Sequence, residues 1–297
     1  MDKFKMKTPV LFMTFNRLKP TKRVFEEIRK TKPPKLFIAS DGPRNKEEGR
    51  KTDKVRKYLL ENVDWECDVK TLFRKKNLGC KVACAEAIGW FFENVDRGIV
   101  LEDDCLPDQS FFRFCQEMLE KYKEEPKVAS IAGYNIINNI NIKESFTFSK
   151  YSFIWGWATW KDSWKDYSAN IEDIKNINME LKKTLSTMEI LRFKKDVKDI
   201  VSGKSNTWDV QWSLLNFMRE SLCVIPKKNL VKNIGLTNES GTHTKPNYLD
   251  KLFLLHEMDS MKFPLISPKK ITSNRKFDRK YFFQGLLRAI SKKLFFI

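Results

Sequence analysis

The sequence predicts an α/β fold, a mostly parallel sheet with helices on both faces. Two observations predict it. Short apolar runs of strand length alternate with longer stretches of helical spacing through the first hundred residues. Repeated strand–helix–strand order requires right-handed crossovers, which place the strands parallel and the helices over them. The chain has 297 residues, 41% of them hydrophobic and 32% charged, enough for a large core and incompatible with wholesale disorder.

Pro9 to Phe15 reads as the first buried strand. Pro20 suits a helix start, and Val24, Phe25 and Ile28 share a helical face. Lys35 to Ser40 is the second strand, stopped by Asp41-Gly42-Pro43. Val55, Leu59 and Leu60 mark a charged second helix, and Asp68 to Phe73 the third strand. Asn77-Leu78-Gly79 turns into a helix with Val82, Ala85, Ile88 and Phe92 on one side. Gly98 to Leu101 is the fourth strand. A helix over Ser110–Tyr122 and a strand over Val128–Ala132 continue the pattern. An aromatic segment, Phe146 to Trp164, and a charged helical stretch, Asn178 to Asp199, follow. Trp208 to Arg219 reads as a helix and Leu222 to Ile225 as a strand.

No run of about 18 uncharged apolar residues exists, so no spanning helix is expected. The apolar run Val10–Phe15 is too short for a signal-peptide core, and a cytoplasmic location is expected. Six cysteines without a C-x-x-C pair read as reduced thiols; Cys80 and Cys84 lie nearest each other. With two histidines, His243 and His256, a multi-histidine metal site is excluded. The balance of 56 basic against 38 acidic residues gives +18. From Lys262 to Ile297 there are ten Lys or Arg and one acid, so half of the net charge lies there. Such a segment addresses an anionic partner, membrane or nucleic acid.

Four features carry chemistry. Glu102-Asp103-Asp104 follow an apolar strand, and ligands of open α/β sheets bind at the carboxyl ends of strands. Three adjacent carboxylates repel one another unless a cation sits among them, and Mg²⁺ or Mn²⁺ bridging to phosphate is the natural one. Arg17 and Asp41, after the first and second strands, fall on the same edge; they suit phosphate, base or ribose. Six of the eight tryptophans lie between Trp155 and Trp212, where they either pack the core or line an acceptor groove, and Gly156 between two of them marks a tight backbone approach. Within that region Asp209, at a helix start, is either a cap or a general base. Asn233-Ile234-Gly235 leads to Ser240-Gly241-Thr242-His243, where His243 is a candidate contact for metal or phosphate.

Several of these pieces together resemble a family. Thr8-Pro9-Val10-Leu11-Phe12-Met13-Thr14-Phe15-Asn16-Arg17, Ala39-Ser40-Asp41-Gly42, Asn77-Leu78-Gly79, and Leu101-Glu102-Asp103-Asp104 with Pro107 and Phe111-Phe112 resemble bacterial nucleotide-sugar glycosyltransferases of the GT-A fold. The nearest type is the inverting N-acetylglucosaminyltransferase I, and the resemblance covers roughly residues 8 to 245. It implies a GT-A-type, Rossmann-like sheet and transfer of a sugar from a UDP-sugar donor to a saccharide or glycolipid acceptor. It also implies that Arg17 and Asp41 contact the uridine end, Glu102 and Asp103 the ribose or sugar, and that Asp104 ligates Mn²⁺ or Mg²⁺. By the same resemblance Asp209 is the catalytic carboxylate and His243 closes over the diphosphate.

The expected organisation is one composite domain, 1–261, with a nucleotide-sugar half (1–104) and an acceptor half (105–261). Residues 262–297 form a basic tail. Within it Phe283, Leu286, Leu287, Ile290, Leu294 and Ile297 fall at helical spacing, as in a helix lying in an anionic membrane interface. The expected place is the inner face of the cytoplasmic membrane, in surface polysaccharide synthesis. Two rival readings compete. A sugar nucleotidylyltransferase shares the α/β plan, but Asn16-Arg17-Leu18 stands where a Gly-rich phosphate loop would be. A non-catalytic nucleic-acid-binding protein fits the +18 but not a carboxylate triplet, so no nucleic-acid partner is expected.

Overall fold

The computed structural model describes residues 4–137, 140–170, 177–236 and 256–294. The first half forms as its spacing predicts. Strand β1 (Val10–Thr14), helix α1 (Leu18–Thr31), β2 (Lys35–Ser40), α2 (Lys46–Glu61), β3 (Asp68–Phe73), α3 (Gly79–Asn94) and β4 (Arg97–Glu102) follow one another. Asn45 caps α2 by accepting from the Glu48 backbone N–H, at 2.9 Å. A short β5 (Cys105–Pro107) leads to α4 (Gln109–Lys121), capped by Asp108.

The second half supplies β6 (Val128–Ala132), β7 (Phe146–Ser149), β8 (Trp157–Trp160), α5 (Lys161–Trp164), α6 (Ile177–Thr184), α7 (Thr187–Val201), α8 (Asp209–Met218), β9 (Leu222–Pro226) and β10 (Val231–Asn233). The charged stretch predicted as one helix divides in two, because Ser186 and Glu189 form a capping box that starts α7. The last helix is α9 (Arg275–Leu294).

One eight-stranded sheet runs β3-β2-β1-β4-β8-β6-β9-β7, and β10 pairs with β5 in a separate ribbon. β3, β2, β1 and β4 are mutually parallel; β8 opposes both β4 and β6, and β7 opposes β9. The sheet is therefore mostly parallel and flanked by helices, the α/β class the sequence predicts. From β1 the chain builds outward to β2 and β3, then crosses back to place β4 on the other side of β1. Such a reversal opens a crevice at the carboxyl ends of the two strands.

Alternation along the strands fills two cores. Val10, Phe12, Leu36, Ile38, Ile99 and Leu101 face α1, α2 and α4. Leu11, Met13, Phe37, Ala39 and Val100 face the other way, toward α3 and α8. Trp157, Trp164, Trp208 and Trp212 join this second core, stacked or tilted on one another with ring centroids 5.3–6.3 Å apart. Core packing is thus the use of these four indoles. Gly156 has φ +62°, and an added Cβ would lie 2.8 Å from Val231 Cγ2, the tight approach its position between two tryptophans predicts.

The chain from Met261 into the basic tail is woven onto the body. The Met261 N–H donates to Ser110 Oγ (2.8 Å), and Arg113 lies over the Phe263 ring. The Ser145 N–H donates to the Ile266 carbonyl (2.8 Å), and the Asn274 N–H to the Phe148 carbonyl (2.7 Å). Helix α9 then seats Phe277 against Phe153, and buried Asp278 accepts from Ser149 Oγ at 2.6 Å. Phe283, Leu287 and Ile290 lie on the face of α9 opposite Phe277, Asp278 and Tyr281, and they are exposed by 59%, 52% and 47%. Among the described residues no helix is long and apolar enough to cross a membrane.

Candidate active site

A cavity of about 410 Å³ opens at the carboxyl ends of β1, β2 and β4, where the strand order reverses. It is lined by Arg17 after β1, Asp41 and Arg44 after β2, Arg74 and Asn77 after β3, and Glu102, Asp103 and Asp104 after β4. Cys80 and Cys84 of α3 and Asn206, from the loop before α8, complete the wall. The structure therefore brings Arg17, Asp41, Glu102, Asp103 and Asp104 into one pocket.

Arg17 stands at the N-terminus of α1 and turns its guanidinium onto the acids. Its Nη2 donates to Asp103 Oδ1 and, at 2.9 Å, to Asp104 Oδ2. Asp103 is nearly closed off from water, its side chain 5% exposed. Burial pushes its carboxyl up to about 6; the Arg17 charge works against that rise and the Asp104 charge adds to it. Glu102 is held well above the usual carboxylate range by burial, then by the charges of Asp104, Cys80, Asp103 and Asp209. Burial and mutual repulsion thus both act against ionisation of this acid cluster.

Asp104 is held from behind. Its carbonyl accepts from the Ile234 N–H at 2.8 Å, where a 3₁₀ turn (Ile234–Leu236) follows β10. An added Cβ on Gly235 would lie 2.4 Å from Asp104 Oδ2, so only glycine lets this turn lie against the carboxylate. The Asn233-Ile234-Gly235 signal in the sequence is this contact. His243 lies outside the described residues.

Asp41 is engaged by the chain itself. Its carboxylate accepts from the N–H groups of Gly42 (2.8 Å), Leu78 (3.0 Å) and Gly79 (3.1 Å) and from Asn77 Nδ2 (3.0 Å). It thereby pins the Asn77-Leu78-Gly79 turn to the end of β2. Arg56 braces the same corner, donating to the carbonyls of Ser40, Asp41 and Arg74.

Asp209, the first residue of α8, accepts from Thr207 Oγ1. It is not part of the cavity lining, yet its charge helps raise Glu102 and Tyr167. Asn206, which the sequence did not flag, bridges this loop to the pocket: its Oδ1 accepts from the Lys81 N–H at 3.0 Å. A lone Asn in a Ser-Asn-Thr run carries no periodic or motif signal. Arg44 and Arg74 were likewise unmarked among many basic residues.

Among the described residues no three His, Cys, Asp or Glu side chains converge on a common metal position. A hard divalent cation completed by phosphate oxygens and water needs only one or two carboxylates. The carboxylate of Asp104 in the pocket lining fits a cation of that kind and not a protein-only cage.

No protein-family model matches the chain, and no curated protein matches it. Among solved structures the chain is distantly similar to the mannosyltransferase PcManGT from Pyrobaculum calidifontis in complex with GDP-Man and Mn²⁺. That match has 10% identity and a TM-score of 0.41, covering 61% of this chain and 52% of the other, so the chain spans about half of that protein's length. A UDP-glucose pyrophosphorylase complexed with UDP-glucose matches with 14% identity over 75% of this chain and 90% of its own, at a TM-score of 0.37. HddC from Yersinia pseudotuberculosis matches with 12% identity over 57% and 85%, at 0.35. Likenesses this distant touch the α/β fold alone and carry no argument about activity.

Proposed function

We propose that the chain is an inverting, metal-dependent glycosyltransferase that moves a sugar from a nucleotide diphosphate donor, UDP-linked by preference, to a saccharide or glycolipid acceptor. The observation that carries this reading is the pocket at the β1/β4 reversal, lined by Glu102-Asp103-Asp104 and by Arg17, Arg44 and Arg74. Arg44 and Arg74, paired with Glu48 and Glu86, give cationic partners for a diphosphate, and the crevice is where α/β sheets receive nucleotides.

In this reading Asp104 holds Mn²⁺ or Mg²⁺. When bound, such an ion offsets the negative charge that develops on a departing diphosphate. Arg17 keeps Asp103 ionised and in place, so the acid cluster is oriented before the donor arrives. Glu102 and Asp103 face the ribose or sugar. Asp41 orders the turn ahead of α3, shaping the uridine end of the pocket instead of contacting phosphate. Asp209 takes the proton of the attacking acceptor hydroxyl from the opposite face of the sugar. His243, outside the described residues, is assigned to the diphosphate by the resemblance of its Gly-Thr-His motif.

The nucleotidylyltransferase reading uses the same crevice but needs a phosphate-cradling loop after β1. Here α1 begins at Leu18, directly after Arg17, and Arg17 is turned inward onto the acids. That observation favours the transferase.

The outer face of α9 is assigned to anionic membrane at the inner face of the cytoplasmic membrane. It presents exposed Lys276, Arg279 and Lys280 and then exposed Phe283, Leu287 and Ile290 along one side of the helix. A lipid-linked acceptor in surface polysaccharide synthesis fits that placement.

The test is a thermal shift with UDP, GDP, CDP and TDP, with and without Mn²⁺, on the wild type and on Asp104→Ala. Ligands that bind the folded state alone raise the melting temperature. Metal-dependent stabilisation by one nucleotide, lost in Asp104→Ala, is expected. Absence of any response from folded protein overturns the reading.

A further inference from the structure

Cys80 and Cys84 stand one turn apart on α3, and their sulfurs are 3.9 Å from each other. Both line the nucleotide pocket, so a small solute that enters the pocket reaches them. Three of the other four cysteines, Cys105, Cys115 and Cys223, are buried in the core. The Cys84 contact holds the Cys80 thiol below the usual thiol range, which makes Cys80 the better nucleophile of the pair. Cys84 is pushed well above that range by the same contact and by burial.

We propose that Cys80 and Cys84 are a redox-active dithiol that closes to a disulfide in the pocket wall on meeting a low-molecular-weight disulfide. The Cys80 thiolate attacks the external disulfide, forms a mixed disulfide and expels one thiolate. The Cys84 sulfur, having lost its proton, then attacks the Cys80 sulfur, closes the Sγ–Sγ bond and expels the second. Two protein thiols are oxidised, one external disulfide is reduced to two thiols, and the two protons end on those thiols.

Helix geometry makes this bond labile. Residues four apart on a helix hold their Cβ atoms about 5–6 Å apart, whereas a relaxed disulfide wants about 3.8 Å. Closure must therefore tighten the first turn of α3. That turn is free to move only at the expense of its two anchors, Asp41 on the Leu78 and Gly79 N–H groups and Asn206 on the Lys81 N–H. Strained disulfides are the easily reduced ones, suited to switching and not to scaffolding. Oxidation thus deforms the uridine side of the pocket, and reduction restores it. The thiol chemistry stands independently of the proposed transferase activity; the effect on nucleotide binding rests on it.

Lys81 lies between the two cysteines, so trypsin separates them onto peptides 77–81 and 82–97. The full chain is equilibrated with oxidised glutathione, its remaining thiols are alkylated, and it is digested without reductant. The expected product is the two peptides joined and two hydrogens lighter than their sum, formed in the wild type and absent from Cys84→Ser. Glutathione adducts on Cys80 with no joined species, or two freely alkylated thiols in folded protein, overturn the proposal. In parallel, the oxidised chain is expected to lose the nucleotide-dependent thermal shift and regain it with dithiothreitol. A joined species with an unchanged nucleotide response overturns the switching role. A chain that ignores nucleotides in both redox states counts against the transferase reading alone, because the joined peptides report the thiols directly.

Discussion

Asn206 and Lys81, 125 positions apart, meet across the pocket wall: the Asn206 amide oxygen accepts a 3.0 Å hydrogen bond from the Lys81 backbone N–H. The bond ties the loop that carries Asp209 to the first turn of α3. A backbone donor at a helix start is satisfied, and the second half of the chain is set against the first.

Asn206→Ala removes this tie from an exposed position. The expected loss of stability is small, about 1 kcal/mol. The expected loss in sugar transfer is larger and falls on the turnover rate, because the Asp209 loop is no longer held. Nucleotide-dependent thermal shift should persist. Unfolding in urea beside steady-state transfer assays checks both; equal losses in nucleotide binding and turnover would count against this role.

Arg17→Ala takes the cation away from buried Asp103. Removing one partner of a buried pair costs about 3–5 kcal/mol, since the other charge is left uncompensated. Arg17→Ala combined with Asp103→Asn should recover part of that loss. Urea unfolding of the two single variants and the double variant measures the coupling. Additive losses would show that the pair contributes no interaction of its own.

Asp278 gives a pH dependence whose sign is fixed. Burial pushes its carboxyl up to about 6, against the opposing help of the Ser149 hydroxyl and Lys150. In the unfolded chain the value is about 3.9. Below that value both states hold the proton and burial costs nothing. As pH rises from about 4 to about 6 the folded state loses its advantage, and above that the full penalty stands, at most about 3 kcal/mol. Asp278→Asn keeps an oxygen for Ser149 and should be more stable than wild type at neutral pH. Its advantage should vanish near pH 4. Denaturation midpoints across that range check this, and a gap that does not change with pH would refute it.

The exposed stripe on α9 predicts a separation of binding from stability. Phe283→Glu with Leu287→Glu should abolish flotation with vesicles of anionic lipid. The unfolding free energy should stay within about 0.5 kcal/mol, because both side chains face solvent. Retained flotation would remove α9 from the membrane contact.

The order of strands and helices in the first half was legible because each is fixed by local signals. Val10 to Thr14 must be buried on both faces, and Asp41-Gly42-Pro43 must turn. The pairing of the second half was not. β8 enters the sheet between β4 and β6 through contacts such as Ile99 with Ala158 and Ile131 with Ala158, and no local periodicity encodes a partner so far away. The aromatic segment marked burial without saying which core would take it. At the site, the acid triplet and Arg17 could be placed on one edge from the strand ends alone. That Arg17 would bind the acids, and Asp41 the turn before α3, depends on side-chain directions that only the assembled pocket decides. The tail read as an appendage because its charge was conspicuous, whereas Ser110, Ser145 and Phe148, which receive it, carry no signal.

β7 is the last strand of the sheet, and an unpaired strand edge offers its N–H and C=O groups to any passing chain. Here the Ser145 N–H is already taken by the Ile266 carbonyl, and the Phe148 carbonyl by the Asn274 N–H. The C-terminal segment is therefore a selvedge: the same stretch of chain that carries the positive charge also covers part of this edge of the sheet.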